Sequence, residues 1–123
     1  MRFMILMIPE VYQREVPENF VPPADAIERM GKFNQSMAEA GILGDLNGLH
    51  PPSKGARITF KTGKPVVTDG PFAEAREVLG GYWFIDVPSR EAAIEWMKKC
   101  PAEKGDIIEI RQIFGPDEFP ETP

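Results

Sequence analysis

Two kinds of apolar pattern alternate along this chain. Short continuous apolar runs predict buried strands, and stretches with apolar residues every three or four positions predict helices. Phe3–Ile8 is a continuous run stopped by Pro9, which predicts a strand. Pro9–Pro23 is polar and carries Pro17, Pro22 and Pro23. It is too long for a simple turn and predicts an excursion loop that covers another part of the molecule. Ile27, Met30, Phe33, Met37 and Ala40 then recur at helical spacing, with Pro23 or Ala24 opening the helix and Gly41 capping it.

Ile42–Leu49 predicts a glycine-interrupted strand, broken by His50-Pro51-Pro52. Ala56–Lys61 alternates, a turn follows at Thr62-Gly63-Lys64, and Pro65–Thr68 returns as the second arm of a hairpin. Asp69-Gly70-Pro71 closes that arm, and Ala73–Val78 predicts a short helical turn. Tyr82–Val87 is the strongest strand signal. Ser89 is placed to cap a second helix carrying Ala93, Ile94, Met97 and Cys100 on one face and ended by Pro101. Ile107–Phe114 is the last strand, with Glu109 and Arg111 on the same side. The Pro- and Glu-rich tail beyond it is frayed or docked on a partner.

The order strand, helix, strand, hairpin, strand, helix, strand is α+β. With the hairpin set aside it is the ferredoxin-like split βαβ arrangement, βαββαβ. Both helices would then cover one sheet face. Apolar residues on both faces of the first and fifth strands ask for a cover on the other sheet face, and a second copy of the sheet is the simplest one. No internal repeat or linker is visible, so residues 1–115 read as one domain and 116–123 as a tail.

Composition narrows the functional classes. The formal charge is −5 with basic and acidic residues interspersed, which argues against nucleic-acid binding. The single cysteine, Cys100, makes no intrachain disulfide. The apolar N-terminal run is too short for a secretory signal or a membrane span, so the expectation is a soluble cytoplasmic protein.

Candidate chemistry concentrates in residues 68–87. Asp69, Glu74 and Glu77 bring three carboxylates into one short window, and Glu74 and Glu77 would share a side of a helical turn. Clustered carboxylates raise the pKa of one member, which suits acid–base work; neutralisation by Arg57, Arg76 or Arg111 in a structural ion-pair network is the equal alternative. A DG turn is by itself common structural punctuation. His50, the sole histidine, becomes a catalytic candidate only within reach of Asp69. Arg57 and Arg111 are candidates to grip an anionic or carbonyl-bearing small molecule, with Phe72 as one wall. No cysteine–histidine pattern supports a dedicated zinc site, and no phosphate-loop or nucleophile-elbow pattern occurs. Gly80-Gly81 predicts a bulge or a close backbone approach.

The string Asp69-Gly70-Pro71-Phe72-Ala73-Glu74, then Glu77, Gly80-Gly81-Tyr82, Glu91–Trp96, Pro101 and Glu109-Ile110-Arg111, resembles the DGPF (YCII-related) family over most of the chain. The resemblance implies a ferredoxin-like fold that dimerises through its sheets as a dimeric α+β barrel. It implies little about activity. Some relatives stand beside extracytoplasmic-function sigma factors, which points to regulation. More distant relatives are thought to use a His–Asp pair whose histidine lies in the first helix. Ala24–Ala40 contains no histidine, so that dyad is not carried over; Asp69 is, with Glu74 and Glu77 as motif partners.

Two functional expectations follow. One is a small dimeric, cofactor-independent acid–base enzyme of isomerase or lyase type, with a pocket between the sheet and the Pro9–Pro23 loop. Its candidate catalytic groups are Asp69, Glu74, Glu77 and His50, and Arg57, Arg111 and Phe72 hold the substrate. The other is a non-enzymatic ligand-binding or regulatory module associated with a sigma factor.

Overall fold

The computed structural model describes residues 1–72 and 77–120. Strands β1 (Arg2–Ile8), β2 (Leu43–Gly48), β5 (Gly81–Asp86) and β6 (Ile107–Gln112) form an antiparallel sheet in the order β2-β5-β1-β6. Helix α1 (Ala24–Glu39) joins β1 to β2, and α2 (Arg90–Met97) joins β5 to β6. Strands β3 (Ala56–Thr59) and β4 (Val66–Asp69) pair with each other as a separate hairpin between β2 and β5. This is the ferredoxin-like α+β arrangement with an inserted hairpin, and its four-stranded sheet is open rather than closed into a barrel.

The pleat of β1 sorts its side chains. Phe3, Ile5 and Met7 are buried, and their neighbours Trp83 and Ile85 of β5 project to the same side. There they meet Phe33 and Met37 of α1 and Ala93 and Met97 of α2, so both helices cover one face. The other face carries half-buried Met4 and Leu6 of β1 opposite Phe84 and Tyr82 of β5. Glu109 and Arg111 of β6 lie on that face too, joined by an ion pair of 3.2 Å.

Local chemistry sets the helix ends. Gly41 takes φ +75°, a left-handed conformation that costs a residue with a Cβ. The Gly41 amide donates to the Ala38 carbonyl and the Ile42 amide to that of Met37, which is a Schellman stop. Ser89 starts α2: its Oγ accepts the Ala92 amide at 3.1 Å.

The structure departs from the sequence pattern in four places. Ile27 is 51% exposed although it falls in the apolar stripe of α1: the cavity is lined by Asp25, Ala26, Arg29 and Met30 and the core by Phe33 and Met37, and Ile27 reaches neither. The Pro9–Pro23 stretch is not wholly irregular: Glu10–Gln13 forms a 3-10 turn. The last strand ends at Gln112, with the Ile113 amide making a final bond to the Arg2 carbonyl of β1 at 2.9 Å. The helical turn expected over Ala73–Val78 lies mostly outside the described residues, and Glu77 takes φ 54°, so no right-handed turn runs through it.

Candidate functional site

A cavity of about 690 Å³ opens at one end of the sheet. Its roof is the Pro9–Pro23 stretch, its floor the ends of β1, β2 and β5, and its side wall the first half of α1. The walls are mainly apolar, with Val11, Phe20, Met30, Leu46, Leu49 and Trp83 among them.

The roof is pinned to the sheet by long-range contacts. Buried Tyr12 donates its hydroxyl to the Leu49 carbonyl at 2.8 Å and meets Phe20 edge-on, with ring centroids 5.7 Å apart. Burial raises the Tyr12 pKa, so the phenol keeps its proton and remains a donor at neutral pH. Gln13 works as a substitute strand. Its amide accepts from the Val78 N–H at 3.1 Å and donates to the Val78 carbonyl at 3.2 Å. Gly80 then passes directly under the roof: a Cβ there would lie 2.5 Å from Cγ of Pro9 and 3.3 Å from Cδ2 of Tyr12. The Gly-Gly pair thus permits close backbone approach, and Gly81 similarly passes the Asn47 carbonyl.

A charged seam closes the far side. The Asp106 carboxylate accepts the backbone amides of Glu10 and Glu103, each at 2.8 Å. Arg29 of α1 reaches Asp25 at 3.0 Å and Glu103 at 2.8 Å. Exposed pairs of this kind contribute little stability each; their effect here is to hold α1 against the loop before β6. Behind this loop, Cys100 is pushed up to about 11, first by burial and then by the Asp106 charge, and so stays a neutral thiol near pH 7.

The residues singled out in the sequence fall in several places. His50 borders the cavity with an exposed side chain. Asp69 ends β4, exposed and opposite Ala56, and does not line the cavity. Arg57 and Phe72 come together at the hairpin base, the guanidinium carbon 4.1 Å from the ring centroid. Glu77 is exposed, Arg111 pairs with Glu109 on the open sheet face, and Glu74 lies outside the described residues. The DGPF turn has a structural reason of its own. The Gly70 amide donates to the Gly55 carbonyl at 2.9 Å, and a Cβ on Gly70 would lie 1.8 Å from the Pro52 oxygen. Among the described residues, no group of three or more His, Cys, Asp or Glu side chains is placed to hold a metal ion, and no helix is long and apolar enough to cross a membrane.

Tyr12, Gln13, Arg29 and Asp106 escaped the sequence reading. The available signal was two aromatics, Tyr12 and Phe20, inside a Pro-rich polar loop; large rings in such a loop need something to pack on.

The YCII-related domain family matches residues 1–119. The chain belongs to that family. It is similar to an uncharacterized protein of Rhizobium meliloti (strain 1021), 30% identical over 117 residues, which cover 92% of this chain and 90% of that protein.

Proposed function

We propose that the cavity under the Pro9–Pro23 roof binds a small organic molecule with an apolar body and a carbonyl or carboxylate end. The cavity itself carries the reading: about 690 Å³ with mainly apolar walls lies within the size range of small-molecule sites. Its polar groups are mostly committed to the scaffold. Tyr12 bonds Leu49, Arg29 bonds two carboxylates, and Asp106 holds two backbone amides. That favours binding over catalysis and makes a ligand-sensing module the better-supported of the two expectations. The test is a ligand-observed NMR screen of small ketones and carboxylates with apolar bodies. Ala26→Trp, which places an indole in the cavity from α1, should abolish binding of every hit while the chain stays folded. Hits that bind this variant as well as wild type would refute the reading.

His50 supports a second reading, one that does without Asp69, since it borders the cavity with an exposed side chain. In that reading it exchanges a proton with the bound carbonyl compound, and His50→Gln removes turnover while leaving ligand affinity within a few-fold.

We also propose that the open sheet face pairs with a second copy. Among the described residues, no layer covers half-buried Met4, Leu6, Tyr82 and Phe84. Sedimentation should give twice the chain mass at micromolar concentration, and a monomer there would end this proposal.

A further inference from the structure

Two uncovered segments leave the sheet at its opposite ends, and they complement each other. The β3–β4 hairpin starts from the end of β2 and returns to the start of β5, beside Met7 of β1. Cross-strand partners share a face, so Ile58 and Val67 lie on one side of the hairpin and Arg57 and Thr68 on the other. Among the described residues nothing covers the Ile58 side: Ile58, Val67 and Phe60, just beyond β3, are each more than half exposed. A lone two-stranded hairpin is only marginally stable in water, so a bare apolar side on it calls for a partner. The second segment is the tail after β6, whose last residue, Gln112, pairs with Phe3 at the other end of β1. In it Phe114 and Phe119 meet with ring centroids 4.9 Å apart, and both rings stay more than half exposed.

Charge matches the two segments. Residues 46–68 hold four basic residues, Lys54, Arg57, Lys61 and Lys64, and no acidic one. The nearest acids in sequence, Asp45 and Asp69, stand before that stretch and at the base of the hairpin, away from its tip. Residues 113–123 hold Asp117, Glu118 and Glu121 and no basic residue. Among the described residues no ion pair engages Asp117 or Glu118. Glu118 accepts the Gly115 amide of its own turn at 2.7 Å, and Arg2, which borders the hollow beside the tail, pairs with neither carboxylate. Within one chain the two segments attach at opposite ends of β1, seven residues or roughly 20 Å apart. A second copy removes that separation.

We propose that the hairpin of each protomer receives the tail of a second copy: the Phe114–Phe119 pair packs on the Ile58, Phe60 and Val67 side, and Asp117 and Glu118 meet Lys61 and Lys64 near the tip. This rests on the sheet-to-sheet pairing proposed above and adds to it which segments secure the dimer. Two sheets stacked about a two-fold axis that crosses the strands set the Arg2 end of each over the Met7 end of the other, so the contact forms twice and the assembly closes. Hairpin and tail both leave from sheet ends, so their contact leaves the open sheet face to the other copy's sheet. Reach is sufficient. The base is fixed by the Gly70–Gly55 hydrogen bond and the tip turns at Gly63. An arm of this length spans roughly 20 Å, against the roughly 10 Å that separates stacked sheets.

The test is sedimentation equilibrium on the full chain, with folding checked by circular dichroism. Two charge-reversed chains are made, Lys61→Glu/Lys64→Glu in the hairpin and Asp117→Lys/Glu118→Lys in the tail; all four residues are exposed in the protomer. Each variant alone should show a dimer dissociation constant raised about tenfold or more, because like charges then face each other at both contacts. An equimolar mixture of the two should regain a dimer within about threefold of wild type, since one contact of the mixed dimer is wild type and the other has both signs exchanged. A loss that came only from the Glu118 bond to Gly115 would not be repaired by mixing. Separately, p-benzoylphenylalanine at position 119 in a mixture of ¹⁴N- and ¹⁵N-labelled chains should give mixed-isotope cross-links to peptides from residues 56–69. A wild-type dimer that neither variant weakens, a mixture no tighter than the variants alone, or cross-links confined to a single chain overturns the tail–hairpin contact and leaves sheet pairing standing. A monomeric wild type overturns both.

Discussion

The same substitution, glycine to alanine, should act with opposite sign at two positions of this chain, and the difference tests how the cavity roof is seated. At Gly80 an added Cβ would sit 2.5 Å from Cγ and 2.8 Å from Cδ of Pro9, and 3.3 Å from Cδ2 of Tyr12. The first two contacts are with a rigid ring whose backbone begins the 3-10 turn, so the methyl fits only if the roof lifts. Forcing one carbon into packed surroundings costs about 1–3 kcal/mol. Lifting the roof also stretches the Tyr12–Leu49 hydrogen bond and the paired Gln13–Val78 bonds, which places the cost toward the upper end. At Gly31, inside α1, an added Cβ meets nothing within 4 Å. There alanine removes the conformational freedom of a mid-helix glycine and should stabilise by about 0.5–1 kcal/mol. For a chain of this length each kcal/mol moves the midpoint by roughly 3–5 °C. Urea denaturation followed by far-UV circular dichroism, with equal m-values as the check on two-state behaviour, reads both. A Gly80→Ala variant as stable as wild type would refute the claim that the roof rests on that glycine, whatever Gly31→Ala does.

Other outcomes follow from single contacts. Tyr12→Phe removes the donor to the Leu49 carbonyl while keeping the ring, and should cost about 1–2 kcal/mol and speed limited proteolysis within Pro9–Pro23. Ser89→Ala removes the cap on the Ala92 amide and should cost about 1 kcal/mol, with Ser89→Asp restoring most of it. Cys100 should resist alkylation by iodoacetamide at pH 7.5 and react readily only as pH approaches 11. Its raised pKa favours the protonated thiol in the folded state. That contribution to stability is complete below the ordinary value of 9.0 and is lost as pH rises toward 11, a decline that Cys100→Ser should lessen.

The element order was legible because it rests on local signals. Pro9 ends β1, Gly41 supplies the left-handed stop of α1, Ser89 caps α2, and Thr62-Gly63-Lys64 turns the hairpin. The cavity was only half legible. A Pro-rich loop that covers something could be read, but what seats it could not. Tyr12 meets Leu49, Gln13 meets Val78, and Glu10 meets Asp106, contacts that span 37, 65 and 96 residues. No periodicity reports such pairs. The acidic window around Asp69 drew attention for its density of special residues, yet Gly70 is explained by its approach to Pro52 and Phe72 by its contact with Arg57. Composition marked the segment as constrained without distinguishing a constrained backbone from a binding site. Ile27 shows the same limit from the other side: it falls in the apolar stripe of α1 yet lies 51% exposed, outside both the core and the cavity lining.

The location of the ligand is the most direct test of the account. A ¹⁵N-labelled chain titrated with a hit from the carboxylate and ketone screen should show amide shifts concentrated at Val11, Tyr12, Leu46, Leu49 and Gly80 around the cavity. Shifts centred instead on Asp69, Phe72 and Glu77, with the cavity amides unmoved, would contradict it and return the site to the DGPF turn.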